Sequence, residues 1–139
     1  MKVIFVDTNI ILDFITKREL FYKEANKIFS LADSKKIILK TSSLSFANSY
    51  YMCSKLKLNS DKELRRVFIS LKTLIEIIPI TSKILDRGLS DDLFNDFEDG
   101  LQYFSAISSN CEIILTRNLK DFKNSKLPVM TTDSYISGL

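Results

Sequence analysis

The sequence predicts a three-layer α/β/α sandwich around a central, mainly parallel sheet, and three observations carry that expectation. Short apolar runs rich in Ile and Val recur at 2–6, 37–39, 75–80, 112–115 and 129–130. Segments with helical periodicity fall between them, at 10–14, 21–32, 44–56, 62–71, 83–89 and 97–108. The chain has 139 residues, of which 45% are hydrophobic and 27% charged, and with only three Gly and two Pro it offers no linker that would divide it. Residues 1–139 therefore read as a single domain.

The run Val3-Ile4-Phe5-Val6 lacks polar alternation, as a strand buried on both faces of a parallel sheet does. The helical patterns at 10–14 and 21–32 then lead to Ile37-Ile38-Leu39, and those at 44–56 and 62–71 lead to the run from Ile75 to Ile80. Strand, helix and strand in this succession call for right-handed crossovers. After the pattern at 83–89, the helix predicted at 97–108 carries Phe97, Leu101, Phe104 and Ile107 on one face, with Tyr103 and Ala106 beside them. If it starts near Asp96, that residue caps it, and Glu98 and Asp99 occupy the first turn near the positive end of the macrodipole. The last strands are 112–115 and Val129-Met130, which follows Pro128.

Composition excludes several chemistries. No GxGxxG or GxxxxGK[ST] run occurs, which argues against dinucleotide and P-loop enzymes. The chain contains no histidine, so imidazole acid/base catalysis, catalytic triads and HExxH zinc sites are all ruled out. Cys53 and Cys111 form no CxxC and sit among apolar residues, as buried free thiols of a reducing cytoplasm would. No stretch approaches the ~20 apolar residues of a membrane helix, so a cytoplasmic protein without membrane association is expected. Residues 1–72 hold 14 basic and 7 acidic side chains, about +7, and residues 73–139 hold 6 and 10, about −4. That asymmetry fits an anionic partner for one surface and a cation or basic partner for another, or simply solvated helix faces.

In an open parallel sheet the functional groups gather at the carboxyl ends of the strands. The first strand ends in Asp7-Thr8-Asn9, which reads either as a helix N-cap or as a ligand set. The strand at 112–115 ends in Thr116-Arg117-Asn118, followed by Asp121-Phe122. Between Asp91 and Asp99 lie five acids in nine residues, more than capping requires, and Asp99 falls at the margin of the apolar stripe. Carboxylates gathered at one point repel one another unless a cation joins them, and oxygen ligands from Asp and Asn suit Mg²⁺ or Mn²⁺ rather than zinc. A water polarised by such an ion attacks phosphorus without any histidine, so the implied reaction is phosphodiester hydrolysis.

These residues resemble the PIN-domain nucleases, and among them the VapC-like toxins of bacterial toxin–antitoxin pairs. Val6-Asp7-Thr8-Asn9-Ile10-Ile11-Leu12-Asp13 is similar to the opening motif of that family, Phe97-Glu98-Asp99-Gly100-Leu101-Gln102 to its central helix start, and Leu115-Thr116-Arg117-Asn118-Leu119-Lys120-Asp121-Phe122 to its late TRNxxDF motif. The resemblance implies that Asp7, Asp99 and Asp121 hold the metal and that Asn118 belongs to the site. Asn48 stands where the family normally carries a glutamate, so the resemblance places an amide there to orient the ion or its water, with one negative charge fewer. It further implies a homodimer face and an antitoxin surface within residues 44–72.

For RNA contacts the expectation falls on Arg117, Lys17, Arg18 and Lys120, with Lys123 and Lys126 either flanking the site or solvating a loop. Phe46, Tyr50 and Tyr51 read as core or as stacking platforms for unpaired bases. The leading expectation is thus a Mg²⁺- or Mn²⁺-dependent endoribonuclease, the toxin of such a pair. The alternative is a non-catalytic RNA-binding or regulatory module with a structural ion, which Asn48 favours. An aspartyl-phosphate enzyme of the haloacid-dehalogenase type wants a second Asp two residues after the first, and that position is Asn9.

Overall fold

The computed structural model describes residues 1–139. In chain order the elements are β1 (Lys2–Val6), α1 (Thr8–Ile15), α2 (Tyr22–Asp33), β2 (Ile37–Ser42), α3 (Ser43–Leu56), α4 (Asp61–Leu71), β3 (Ile75–Ile78), α5 (Ser82–Ser90), α6 (Phe97–Ser108), β4 (Ile113–Leu115), a 3-10 turn (Leu119–Phe122), β5 (Val129–Met130) and α7 (Thr132–Ser137). The five strands form one sheet in the order β3-β2-β1-β4-β5, and every neighbouring pair is parallel.

Successive strand residues point to opposite faces, and the apolar runs feed two cores accordingly. Ile4 and Val6 pack with Ile113 and Leu115 against α1 to α4 and Tyr135 of α7. Phe5 and Ile114 pack on the other face with Ile84 of α5, Leu101 and Phe104 of α6, and Phe122. The register Ile4 to Ile113, Phe5 to Ile114 and Val6 to Leu115 places like-facing residues side by side. The result is the expected α/β/α sandwich. Phe46 and Tyr50 belong to the first core, each ring meeting Phe68 edge-on at a centroid distance of 5.3 Å, whereas Tyr51 is exposed. Cys53 and Cys111 are buried free thiols. No helix is long and apolar enough to cross a membrane.

Three departures from the sequence reading have local causes. β3 stops at Ile78 because Pro79, with no N–H, cannot extend the ladder. β2 runs on through the polar Lys40, Thr41 and Ser42, because the Thr41 hydroxyl donates to the Val6 carbonyl (2.9 Å) and Lys40 Nζ to the Ser109 carbonyl (2.8 Å). α7 has too few apolar residues for a periodic signal and is held by Thr131, whose hydroxyl accepts from the Ser134 N–H (3.2 Å), and by the buried Tyr135.

The chain moves outward from β1 to β2 and β3, then returns to the other side of β1 for β4 and β5. β1 and β4 therefore flank the point where the strand order reverses, and the helices that follow them diverge there to leave a crevice at the carboxyl ends. α6 begins over that crevice, capped by Asp96, whose Oδ1 accepts from the Glu98 N–H at 2.9 Å. Gly88 lets α5 lie close to α6, since a Cβ there would come within 2.9 Å of Leu101.

Candidate active site

Asp7 is the fixed point of the site. It ends β1, is 8% exposed, and caps α1 with Oδ1 accepting from the Thr8 N–H at 2.8 Å. Oδ2 accepts from the Thr116 hydroxyl (2.9 Å) at the end of β4 and from the Asn9 amide (3.2 Å). Asn9 Oδ1 in turn accepts from the Arg117 N–H (3.1 Å), and Thr116 Oγ1 from the Asn118 N–H (3.0 Å). The two strand ends are thus stitched together by the DTN and TRN segments. Burial pushes the Asp7 carboxyl up, the Thr8 N–H and Thr116 hydroxyl pull it back, and the charges of Asp121 and Glu98 raise it further.

Asp99, in the first turn of α6, is half-buried, and its carboxyl is pushed up to about 7 by burial and then by Asp121, Asp96, Asp7 and Glu98. Neither Asp7 nor Asp99 forms an ion pair with a basic side chain. The topology has therefore brought Asp7, Asp99 and Asp121 into one electrostatic neighbourhood from three elements, with Asp121 exposed on the 3-10 turn and Asn118 exposed before it. Asn48, on α3, donates its amide to Glu98 Oε1 at 3.1 Å. It sits beside an acid that the sequence reading had assigned only to the first turn of a helix.

Behind these carboxylates runs a buried polar chain. The Thr8 hydroxyl donates to Ser45 Oγ (2.9 Å), the Gln102 amide donates to the same oxygen, and Ser42 Oγ donates to Gln102 Oε1 (2.5 Å). Ser42, Ser45 and Gln102 are each almost fully buried, and they tie α1, α3 and α6 to the end of β2. A buried network whose members are all hydrogen-bonded holds one arrangement rather than several.

The basic residues are dispersed. Arg117 Nε donates to Asp13 Oδ2 (2.9 Å), and its guanidinium lies 4.2 Å from the Phe21 ring centroid. Arg18 stands 3.9 Å from Asp13 Oδ1. Burial raises the Asp13 carboxyl, and these two cations oppose the rise. Lys17, in a left-handed conformation after α1 (φ 52°), and Lys120, on the 3-10 turn, are exposed.

No three acidic or thiol side chains converge closely enough to hold an ion among them. The donor set nevertheless suits a hard divalent cation: Asp7, Asp99 and Asp121 supply oxygen alone, none of them is ion-paired, and the chain has no imidazole.

A family model described as PIN domain matches residues 3–120. The chain belongs to the PIN-domain family. Within it the chain is VapC-like, being 30% identical to Ribonuclease VapC1 of Aquifex aeolicus over 137 residues, which cover 95% of this chain and 92% of that protein. This PIN domain also superimposes on a toxin–antitoxin complex from Klebsiella pneumoniae (TM-score 0.66, 23% identity, 92% and 96% of the two chains). VapBC-1 from nontypeable Haemophilus influenzae shares the fold as well (TM-score 0.65, 17% identity, 94% and 98%).

Ser45, Glu98, Gln102 and Thr116 matter to the site of this PIN domain, although none of them is singled out by the sequence as a site residue and Glu98 reads there only as a first-turn acid. Gln102 carries the visible signal, a long polar side chain between the apolar Leu101 and Tyr103, and it is fully buried in the structure.

Proposed function

We propose that this chain is a Mg²⁺- or Mn²⁺-dependent endoribonuclease, the toxin of a toxin–antitoxin pair. The observation that carries the proposal is the group of carboxylates from three elements at the crevice between β1 and β4, where neither Asp7 nor Asp99 is ion-paired. Asp7, Asp99 and Asp121 would hold the ion. When bound, it would supply a polarised water and neutralise charge developing on the scissile phosphate.

The chain's own residues set the stage for that chemistry. Thr116 and the Thr8 N–H hold the Asp7 carboxylate in one orientation, and Asn9 binds β1 to β4 so that this orientation survives. Asn48 steadies Glu98 beside Asp7 through its amide, an arrangement that keeps an acid near the place where Asn48 itself lacks one. Asn118 and Lys120 lie on the rim, where they can meet the phosphates of a single strand, whereas Arg117 is engaged by Asp13 and Phe21. A partner protein and a second copy of the chain are proposed for α3 and α4, which expose Tyr51, Met52, Leu56 and Ile69.

The relatives, a ribonuclease and toxin–antitoxin complexes, support this reading. Two observations favour a second reading, a module that binds RNA without cutting it: Asn48 replaces a charge, and no three acids converge closely enough to hold an ion. Calorimetric titration of Mn²⁺ into the wild type, Asp99→Asn and Asp121→Asn tests the metal site. Binding in the wild type that weakens at least tenfold in both variants is expected, and equal affinity in all three would remove the site.

A further inference from the structure

Beside the carboxylates lies a cavity of about 460 Å³, where the connection between α1 and α2 faces the start of α7 and the end of β4. Its size is that of a small-ligand site. Phe21, Glu24, Arg117, Asn118 and Asp133 line it, as does Asp13, whose side chain is 2% exposed and whose Oδ1 has no hydrogen-bond partner. Arg18 Nε stands 3.9 Å from that oxygen, beyond hydrogen-bond distance, and a buried carboxylate oxygen without a hydrogen bond is uncommon in a folded protein.

The Arg117 guanidinium lies over the Phe21 ring, 4.2 Å from its centroid, and is held there by the bond from Arg117 Nε to Asp13. Flat π-systems stack on such surfaces, and unpaired bases of RNA are commonly bound on aromatic rings and guanidinium planes. Glu24 and Asp133 form no ion pair. Asp13 is paired with Arg117 and lies near Arg18, so the uncompensated charge of the lining is that of Glu24 and Asp133, which repels a phosphate and attracts N–H donors. Arg117 and Asn118 directly follow Thr116, the residue that fixes Asp7, so the cavity shares a wall with the carboxylate site.

We infer that this cavity is a base subsite that takes a guanine adjacent to the scissile phosphate; the inference deepens the ribonuclease reading and rests on it. Guanine alone among the four RNA bases presents two adjacent N–H donors, N1–H and the N2 amino group, to a single carboxylate. Adenine and cytosine set a ring nitrogen acceptor beside their amino group, and the one N–H of uracil lies between two carbonyls, so each turns an acceptor toward the acids. A lysine or arginine from a partner protein matches the acids but meets the Arg117 guanidinium, whereas a neutral base stacks on it.

Two measurements test this. In the first, guanosine or adenosine is titrated into the metal-free, ¹⁵N-labelled protein, and amide shifts are followed. Guanosine is expected to move the amides of Phe21, Glu24, Arg117 and Asp133 with at least tenfold higher affinity than adenosine. The preference should vanish in a Glu24→Gln, Asp133→Asn double variant, which removes two unpaired acids without touching the core. In the second, cut sites on a mixed-sequence RNA in Mn²⁺ are mapped, with guanine enriched next to the break in the wild type and not in the double variant. Equal responses to the two nucleosides, shifts mapping elsewhere, or a preference that survives both substitutions would overturn the subsite even if RNA is cut. Cleavage without base enrichment does so as well and leaves the ribonuclease reading standing. Guanosine-specific shifts with no cleavage of any RNA would overturn the ribonuclease reading and the scissile-phosphate placement together, leaving only a nucleobase site.

Discussion

Replacing Asp99 with Asn should stabilise the metal-free protein, by an amount that follows from its surroundings. Its carboxyl has an ordinary value of 3.8 and stands at about 7 in the folded chain, raised by burial and four acidic neighbours. Between about pH 4 and 7 the folded protein thus keeps a proton that the unfolded chain has released, so stability falls as pH rises through this window and the loss is complete above it. At about 1.36 kcal/mol for each pH unit between the two values the loss has an upper bound of roughly 4 kcal/mol. Asp99 is only half-buried, so screening by water and salt lowers this to about 2 kcal/mol. The variant should accordingly gain about 2 kcal/mol at pH 8 and almost nothing near pH 4. Urea denaturation in EDTA at pH 4.5, 6 and 8 reads the difference directly. Some slope remains in the variant, because Asp7 is raised as well. Millimolar Mn²⁺ should then stabilise the wild type more than the variant, since only the wild type keeps the full ligand set. A variant no more stable than wild type at pH 8 would refute the crowding of carboxylates on which the site rests.

Asn48→Glu sets a carboxylate against Glu98 in place of the donor now 3.1 Å away, and should cost about 1 kcal/mol in EDTA by like-charge repulsion and the lost hydrogen bond, with Mn²⁺ restoring stability. Melting curves under both conditions decide it, and a fold lost in both would exclude Asn48 from the metal environment. Arg117→Ala strips the buried Asp13 of its hydrogen-bonded cation and should cost about 3 kcal/mol, part of which Asp13→Asn in the same chain recovers; denaturation of the single and double variants showing no recovery would break that link. Gln102→Ala leaves the Ser42 and Ser45 hydroxyls without their shared partner and should cost about 2 kcal/mol, and a chemical-denaturation midpoint unchanged from wild type would mean that the polar chain holds nothing.

The sheet was legible because β1 and β4 are unbroken apolar runs and their polar ends read as DTN and TRN. The start of α6 was legible for a similar reason, as Asp96 both caps the helix and sits in a dense acidic run. What could not be read was pairwise geometry. Asn48 and Glu98 are 50 residues apart and Thr116 and Asp7 109, and only the strand order β2-β1-β4 brings each pair together. Arg117 was placed as an RNA contact from its position between site residues. Its bond to Asp13 and its stacking on Phe21 depend on how the α1–α2 connection folds back, for which no local pattern exists.

Metal-dependent hydrolysis of RNA at the Asp7 carboxylate is read out by the chemistry of the product ends. Single-stranded RNA incubated with the wild type in Mg²⁺ or Mn²⁺ should yield fragments ending in a 3′-hydroxyl and a 5′-phosphate, because water and not the ribose 2′-hydroxyl is the nucleophile. Excess EDTA or Asp7→Ala should stop the cutting. Cleavage that continues in EDTA, or products ending in a 2′,3′-cyclic phosphate, would contradict the account.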